Sequence, residues 1–305
     1  MINTVNILRL IAVIVFIVCA PFIGGILDGF DRKISARMQR RIGPKVTQPF
    51  YDVLKLFNKE FVSVNKSQLF LLLSYLFFVI FAGALFFGGY DLLMVFLCTS
   101  TASIFLILAA SSTHTAYTGV GTLRELVQMM CCEPMELLVA IGFYLSTSAN
   151  KDFVTPTFKV IDLVRSDMPA IIYLPGFFIG FIFILTIKFR KSPFDISTSH
   201  HAHQEVVKGV TAEFSGAAYG IVEVAEWYEQ VMLLGVVGLF FITSNPLSYI
   251  VAALAIILVY FLEIIIDNTS ARVKWDLMFK LSWGIIFICG GTNLLVLEII
   301  RNINI

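Results

Sequence analysis

Residues 213–241 read EFSGAAYGIVEVAEWYEQVMLLGVVGLFF, a run long and apolar enough to cross a bilayer that nevertheless carries Glu213, Glu223, Glu226 and Glu229. The last three recur at every third position, so on a helix they wind slowly around one side. A charged side chain at mid-bilayer costs roughly 2.5–3.5 kcal/mol on insertion scales, and such groups face a bundle interior, a water-filled cavity or a partner. An acidic row sheltered in this way is the signature of a path for protons or cations.

Composition places the rest of the chain in the same setting. Hydrophobic residues make up 58% of the 305 and charged residues 14%, whereas an ordinary globular domain has about 45–50% and about 25%. With a mean hydropathy of +0.87, the class is a membrane protein. The net charge of +1 carries no sign of a nucleic-acid partner. Cys19, Cys98, Cys131, Cys132 and Cys289 all sit in apolar stretches without metal or disulfide spacing, so they read as packing residues.

Apolar runs near the ~20 residues that span a bilayer occur at about 6–27, 68–88, 91–112, 121–147, 171–191, 214–243, 247–267 and 279–300. This predicts an all-α polytopic fold of eight transmembrane helices, 1–305 forming one membrane domain. The first run lacks a small-residue cleavage pattern and is read as a retained helix. Seventeen of the 22 lysines and arginines follow helices one, three, five and seven, which predicts both termini outside and the basic loops in the cytoplasm.

Between the first two spans, residues 47–61 predict a helix lying in the membrane surface. Phe50, Leu54, Phe57 and Phe61 share one face, and Lys55, Asn58 and Lys59 lie opposite. A second short surface helix is expected around 158–165. The basic loop with Arg32, Lys33, Arg37, Arg40, Arg41 and Lys45 holds its side of the membrane and offers a docking surface to an acidic or cofactor-bearing soluble subunit.

Other carboxylates extend the acidic row. Glu133-Pro134-Met135-Glu136 sets two of them three apart beside a proline that breaks the helical hydrogen-bond ladder, and Glu263 lies in the seventh span. Desolvation favours the protonated form of such groups, and a water-bridged series of them conducts. After the fifth span, Ser192-Pro-Phe-Asp195 leads to His200, His201, His203 and Glu205. No second ligand group stands nearby, so these histidines are read as docking or proton-coupling residues, with no metal site. The chain has no Walker loop, dinucleotide fingerprint, serine elbow or cysteine frame, so its energy source lies elsewhere.

Two loop motifs together are specific. Arg40-Arg41-Ile-Gly-Pro44, with Pro49-Phe50 and Asp52-Val-Leu-Lys-Leu-Phe-Asn-Lys-Glu60, resembles the first cytoplasmic loop of the proximal membrane subunit of respiratory complex I, its subunit 1 or NuoH. Ser192-Pro-Phe-Asp195, Glu205 and Glu213-Phe-Ser-Gly216 resemble the loop and helix start after that subunit's fifth helix. The run from Ser199 to Glu205 departs from the more acidic quinone-reducing members and looks like the equivalent subunit of energy-converting, Ech-type [NiFe] hydrogenases.

That resemblance implies a multi-pass anchor in the cell (cytoplasmic) membrane, with no cofactor of its own and no catalytic residue. Its expected partners are the [NiFe] hydrogenase large and small subunits, iron–sulfur subunits and an antiporter-like membrane subunit. Iron–sulfur clusters and the nickel–iron centre are expected in those partners, and ferredoxin is the expected electron donor for proton reduction with H⁺ or Na⁺ export. Helices two to six are expected to resemble the half-channel bundle of antiporter-like subunits. The implied relay starts near Asp195 and Glu205, continues through Glu213 and Glu223, and meets Glu133 or Glu136. Arg40, Arg41 and the loop after helix five form the implied docking floor. The alternative is the quinone-site subunit of a complex I-type NADH/quinone oxidoreductase. A stand-alone transporter is disfavoured, because no internal repeat is visible.

Overall fold

The computed structural model describes residues 2–304 apart from 61, 63, 64, 150–155, 192, 196 and 198–205. His200, His201, His203 and Glu205 therefore lie outside the described residues, as does Phe61. The described chain is helical: α1 (Ile2–Met38), α2 (Gln48–Phe57), α3 (Lys66–Phe87), α4 (Leu92–Ser111), α5 (Ala116–Ala149), α6 (Val160–Val164), α7 (Pro175–Lys188), α8 (Ala217–Leu239), α9 (Leu247–Thr269), α10 (Trp275–Ile285) and α11 (Thr292–Asn304). A π-helical turn at Ile286–Gly291 joins the last two. Among the described residues there is no β-strand, only two isolated bridges, Asp91 with Lys159 and Phe194 with Val273.

Among the described residues, six helical stretches are long and apolar enough to cross a membrane: Asn6–Met38, Ser67–Phe87, Leu92–Ser111, Ala116–Thr147, Leu247–Thr269 and Trp275–Ile300. The two other expected spans differ for identifiable reasons. α7 has 14 residues, about 21 Å at 1.5 Å per residue, because Pro175 starts it late and a C-terminal cap stops it at Lys188. α8 has the length, at 23 residues, but its glutamates lower its apolarity. Its solution is position. α8 packs against α1, α2, α3 and α9, with buried residues on every face from Ala218 to Leu239. One apolar cluster joins α3, α4, α5 and α7 to the C-terminal half of α8, and a second joins α1, α3 and α4 to its N-terminal half. The acidic helix is the centre of the bundle.

One boundary moves. The first helix runs to Met38, past the loop start expected near residue 28. Asp28 pairs with Arg32 at 2.9 Å and Asp31 accepts from Ser35, both at helical i,i+4 spacing. Arg32 also reaches Asp52 on α2 at 2.8 Å, so it turns toward the protein instead of joining the docking loop. The surface helix α2 is present with its faces reassigned. Pro49 and Val53 are buried and Phe50 packs edge-on against Trp227 of α8 at 5.4 Å, while Tyr51, Leu54 and Phe57 are exposed. The face expected to touch lipid thus divides between the bundle and the outside. The second surface helix is α6, seated by the buried Val160 and Leu163.

Candidate functional site

The end of α7 assembles the site. Its last turn closes with Lys191 N–H donating to the Thr186 carbonyl at 3.1 Å and Arg190 N–H to Ile187 at 3.0 Å, the paired bonds of a Schellman cap. The residue at the left-handed position of such a cap is usually glycine, and here it is Arg190 with φ of 54°. A side chain there costs roughly 1–2 kcal/mol. The helix end also favours cations, since the last carbonyls carry partial negative charge. Lys188, Arg190 and Lys191 consequently fan out from one turn toward four other helices.

Lys188 Nζ lies 3.2 Å from Glu136 Oε1 on α5 and 3.5 Å from Glu229 Oε1 on α8. Arg190 lies 3.2 Å from Glu226 on α8 and 3.8 Å from Glu125 on α5. Lys191 pairs with Asp31 of α1 and stands 5.9 Å from the Tyr260 ring centroid on α9. Glu136 is 1% exposed, and without the ammonium its carboxylate would be a bare charge in the core.

These pairs surround two voids. The larger, of about 580 Å³, is lined by Asp28, Asp31, Arg32, Asp52, Lys188, Arg190, Lys191, Lys208, Tyr219, Glu223, Glu226, Glu229 and Asp267, with apolar and amide side chains between them. Tyr219 and Glu223 line it together. The smaller, of about 40 Å³, lies beside Tyr75, Ser103, Glu125, Gln128 and Cys132, and it shares Lys188, Arg190 and Glu229 with the larger. A water needs roughly 10–15 Å³ on this measure, so about three fit.

The acidic row is thus partly gathered and partly scattered. Glu223, Glu226 and Glu229 line one cavity, and Glu136 joins them through Lys188. Glu133 is half-buried on the same helix as Glu136, and Glu213 sits in the turn before α8, outside the cavity lining. That turn needs Gly216, whose φ is 50° and whose added Cβ would stand 2.8 Å from the Glu60 carbonyl. Glu263 is fully buried near Lys191 and Thr186. Asp195 pairs with Arg124 of α5 at 2.6 Å, and its loop is further pinned by Ser197, which donates through its hydroxyl to Glu125 and through its N–H to Gln128. Arg37, Arg40, Arg41 and Lys45 are exposed beside Ile42, itself 92% exposed.

Sequence reasoning missed Lys188, Arg190, Lys191, Arg124, Glu125, Asp28 and Asp31. The available signal is the pattern Lys-Phe-Arg-Lys at the end of an apolar run, which by itself reads only as a charge that sets orientation.

Residues 10–298 match the family described as NADH dehydrogenase. The chain belongs to this family. This agrees with the resemblance carried by the two loop motifs. The NADH dehydrogenase family member is 28% identical over 281 residues to "Hydrogenase-4 component C" of Escherichia coli (strain K12), covering 85% of this chain and 86% of that protein. It is 26% identical over 298 residues to "Formate hydrogenlyase subunit 4" of the same organism, covering 90% and 93%. "NADH-ubiquinone oxidoreductase chain 1" of Mycosarcoma maydis is 26% identical over 313 residues, covering 91% and 90%. In fold, the family member is similar to a chain of the membrane-bound sulfane sulfur reductase, an archaeal respiratory membrane complex. The TM-score is 0.77, at 24% identity, covering 95% of this chain and 99% of that one.

Proposed function

We propose that this chain is a membrane subunit of a respiratory or hydrogenase-type oxidoreductase complex, and that it couples redox chemistry in soluble partners to ion export. The finer reading is a ferredoxin-dependent, proton-reducing [NiFe] hydrogenase of the Ech type, held in the cytoplasmic membrane with both termini outside. α7 and α8 complete eight passes. Soluble subunits carrying iron–sulfur clusters and the nickel–iron centre dock on the surface of Arg37, Arg40, Arg41 and Lys45 and on the loop of His200, His201 and His203. An antiporter-like subunit continues the path in the membrane.

Ions enter the larger cavity past Glu223, Glu226 and Glu229 and reach Glu136. Asp195, Glu213, Glu133 and Glu263 flank this route, and the loop motif after the fifth span adds Glu205 to it. The observation that carries the reading is that three carboxylates of one apolar helix share a single cavity with bases from another. A low-dielectric setting with paired counter-charges holds protons or Na⁺ without exposing them to lipid. The quinone-site alternative draws on the NADH-ubiquinone oxidoreductase relative. An apolar quinone tail gains little, however, from a lining of seven carboxylates and five basic groups.

The test is the purified complex in proteoliposomes, bearing Glu223→Gln or Glu229→Gln. Electron turnover measured with the gradient dissipated should persist, while ion export falls at least tenfold. Normal export from both variants would sink the proposal.

A further inference from the structure

The shared position of Lys188 points beyond a static ion pair. One ammonium serves two carboxylates from different helices, at 3.2 and 3.5 Å, where the two voids meet. Resting on the relay reading above, we infer that Lys188 is a switching cation that decides which of Glu136 and Glu229 holds a proton.

With both carboxylates ionised and one ammonium between them, the cluster carries one excess negative charge, which a single proton neutralises. While Lys188 stays on Glu136, the proton belongs on Glu229, which lines the larger cavity. When the ammonium shifts to Glu229, that carboxyl gives up its proton and Glu136 takes one. One proton leaves one carboxyl, one binds the other, and no other reactant is needed. The smaller void, with room for about three waters beside Lys188 and Glu229, brings water to the Glu229 side of the pair, and Glu136, which lines neither void, is reached through Lys188. Since Nζ is already within ion-pair distance of both oxygens, the shift requires no backbone movement. Other titratable and charged groups facing this cluster include Glu125, Cys132 and Glu133 on α5, Tyr75 on α3, Glu226 on α8 and, after α7, Arg190, whose guanidinium offsets Glu226 and Glu125.

Lysine suits the task better than arginine. An ammonium is a compact point charge on a flexible stem, whereas a guanidinium is a planar fork that can bridge two carboxylates at once. Lys188→Arg should therefore assemble, keep electron turnover and lock both carboxylates as anions. The test compares wild type, Lys188→Arg, Lys188→Gln and Glu229→Gln in the purified complex in proteoliposomes, scoring ions exported per electron. The expected result is at least a tenfold loss in both lysine variants with assembly retained. Should Lys188→Gln fail to assemble, Lys188→Arg decides, because a counter-ion needed only for structure is replaced by guanidinium without loss of export. Wild-type export from Lys188→Arg, with Glu229→Gln defective, overturns the switch and leaves the relay standing. Normal export from Glu229→Gln removes the switch, and the relay falls with it only if Glu223→Gln also exports normally.

Discussion

Arg124 on α5 and Asp195 in the loop after α7 form an ion pair at 2.6 Å with side chains only 12% and 11% exposed. The two are 71 residues apart, so the pair ties the loop after α7 to the bundle. Removing one partner of a buried pair costs about 3–5 kcal/mol, because the other is left as an uncompensated charge. Arg124→Ala should therefore lower the thermal midpoint of the solubilised complex clearly more than Asp195→Asn, which leaves a neutral amide. Wild-type midpoints in both variants would show that the pair is solvated.

Arg190 offers a test of backbone strain separate from charge. Arg190→Gly and Arg190→Ala both delete the guanidinium near Glu125 and Glu226, but only glycine is at ease at φ of 54°. The glycine variant should be more stable than the alanine variant by about 1 kcal/mol, measured as a difference in unfolding midpoint. Indistinguishable variants would mean the cap relaxes when the side chain is removed.

Asn293 caps a helix to which it does not belong. Its Oδ1 accepts from the N–H groups of Gly176 and Phe177 at 2.7 and 3.2 Å, and its Nδ2 donates to the Tyr173 carbonyl at 2.9 Å. The first turn of α7 has no other side-chain cap, since Pro175 opens it. Asn293→Leu should cost about 1–3 kcal/mol and speed amide exchange at Gly176 and Phe177. Unchanged exchange there would refute the capping role.

Gly29 is where α1 meets the chain leading into α2. An added Cβ would fall 1.9 Å from the Val46 carbonyl oxygen, so backbone must move to admit it. Gly29→Ala should destabilise by about 1–3 kcal/mol, whereas Gly119→Ala, where nothing lies within 4 Å, should be neutral or mildly stabilising. Paired unfolding midpoints check both.

The acidic residues of α8 were legible because charge is rare in apolar runs and a spacing of three keeps Glu223, Glu226 and Glu229 on one side. Glu136 was legible beside Pro134 for the same reason. Their counter-charges were not, because Lys188, Arg190 and Lys191 also fit the simpler role of basic residues flanking a span. The left-handed turn at Arg190 brings Arg190 and Lys191 round beside Lys188, and side-chain direction at a helix end is invisible to a periodicity argument. The membrane class followed from composition. The extent of α1 did not, since Asp28, Asp31 and Arg32 read as loop residues until their i,i+4 pairs are seen. On α2 the spacing identified an amphipathic helix but not which apolar residues the bundle would take.

The closeness of Lys188 to both carboxylates bears on work against a membrane potential. A full elementary charge carried across the bilayer experiences about 2.3 kcal/mol per 100 mV. An ammonium travelling on the order of 1 Å in a hydrocarbon layer of about 30 Å feels roughly a thirtieth of that, below thermal energy. A switch of the proposed kind is so short that it is almost blind to voltage, so on that reading an energised membrane would oppose the longer steps on either side while leaving the lysine free to toggle.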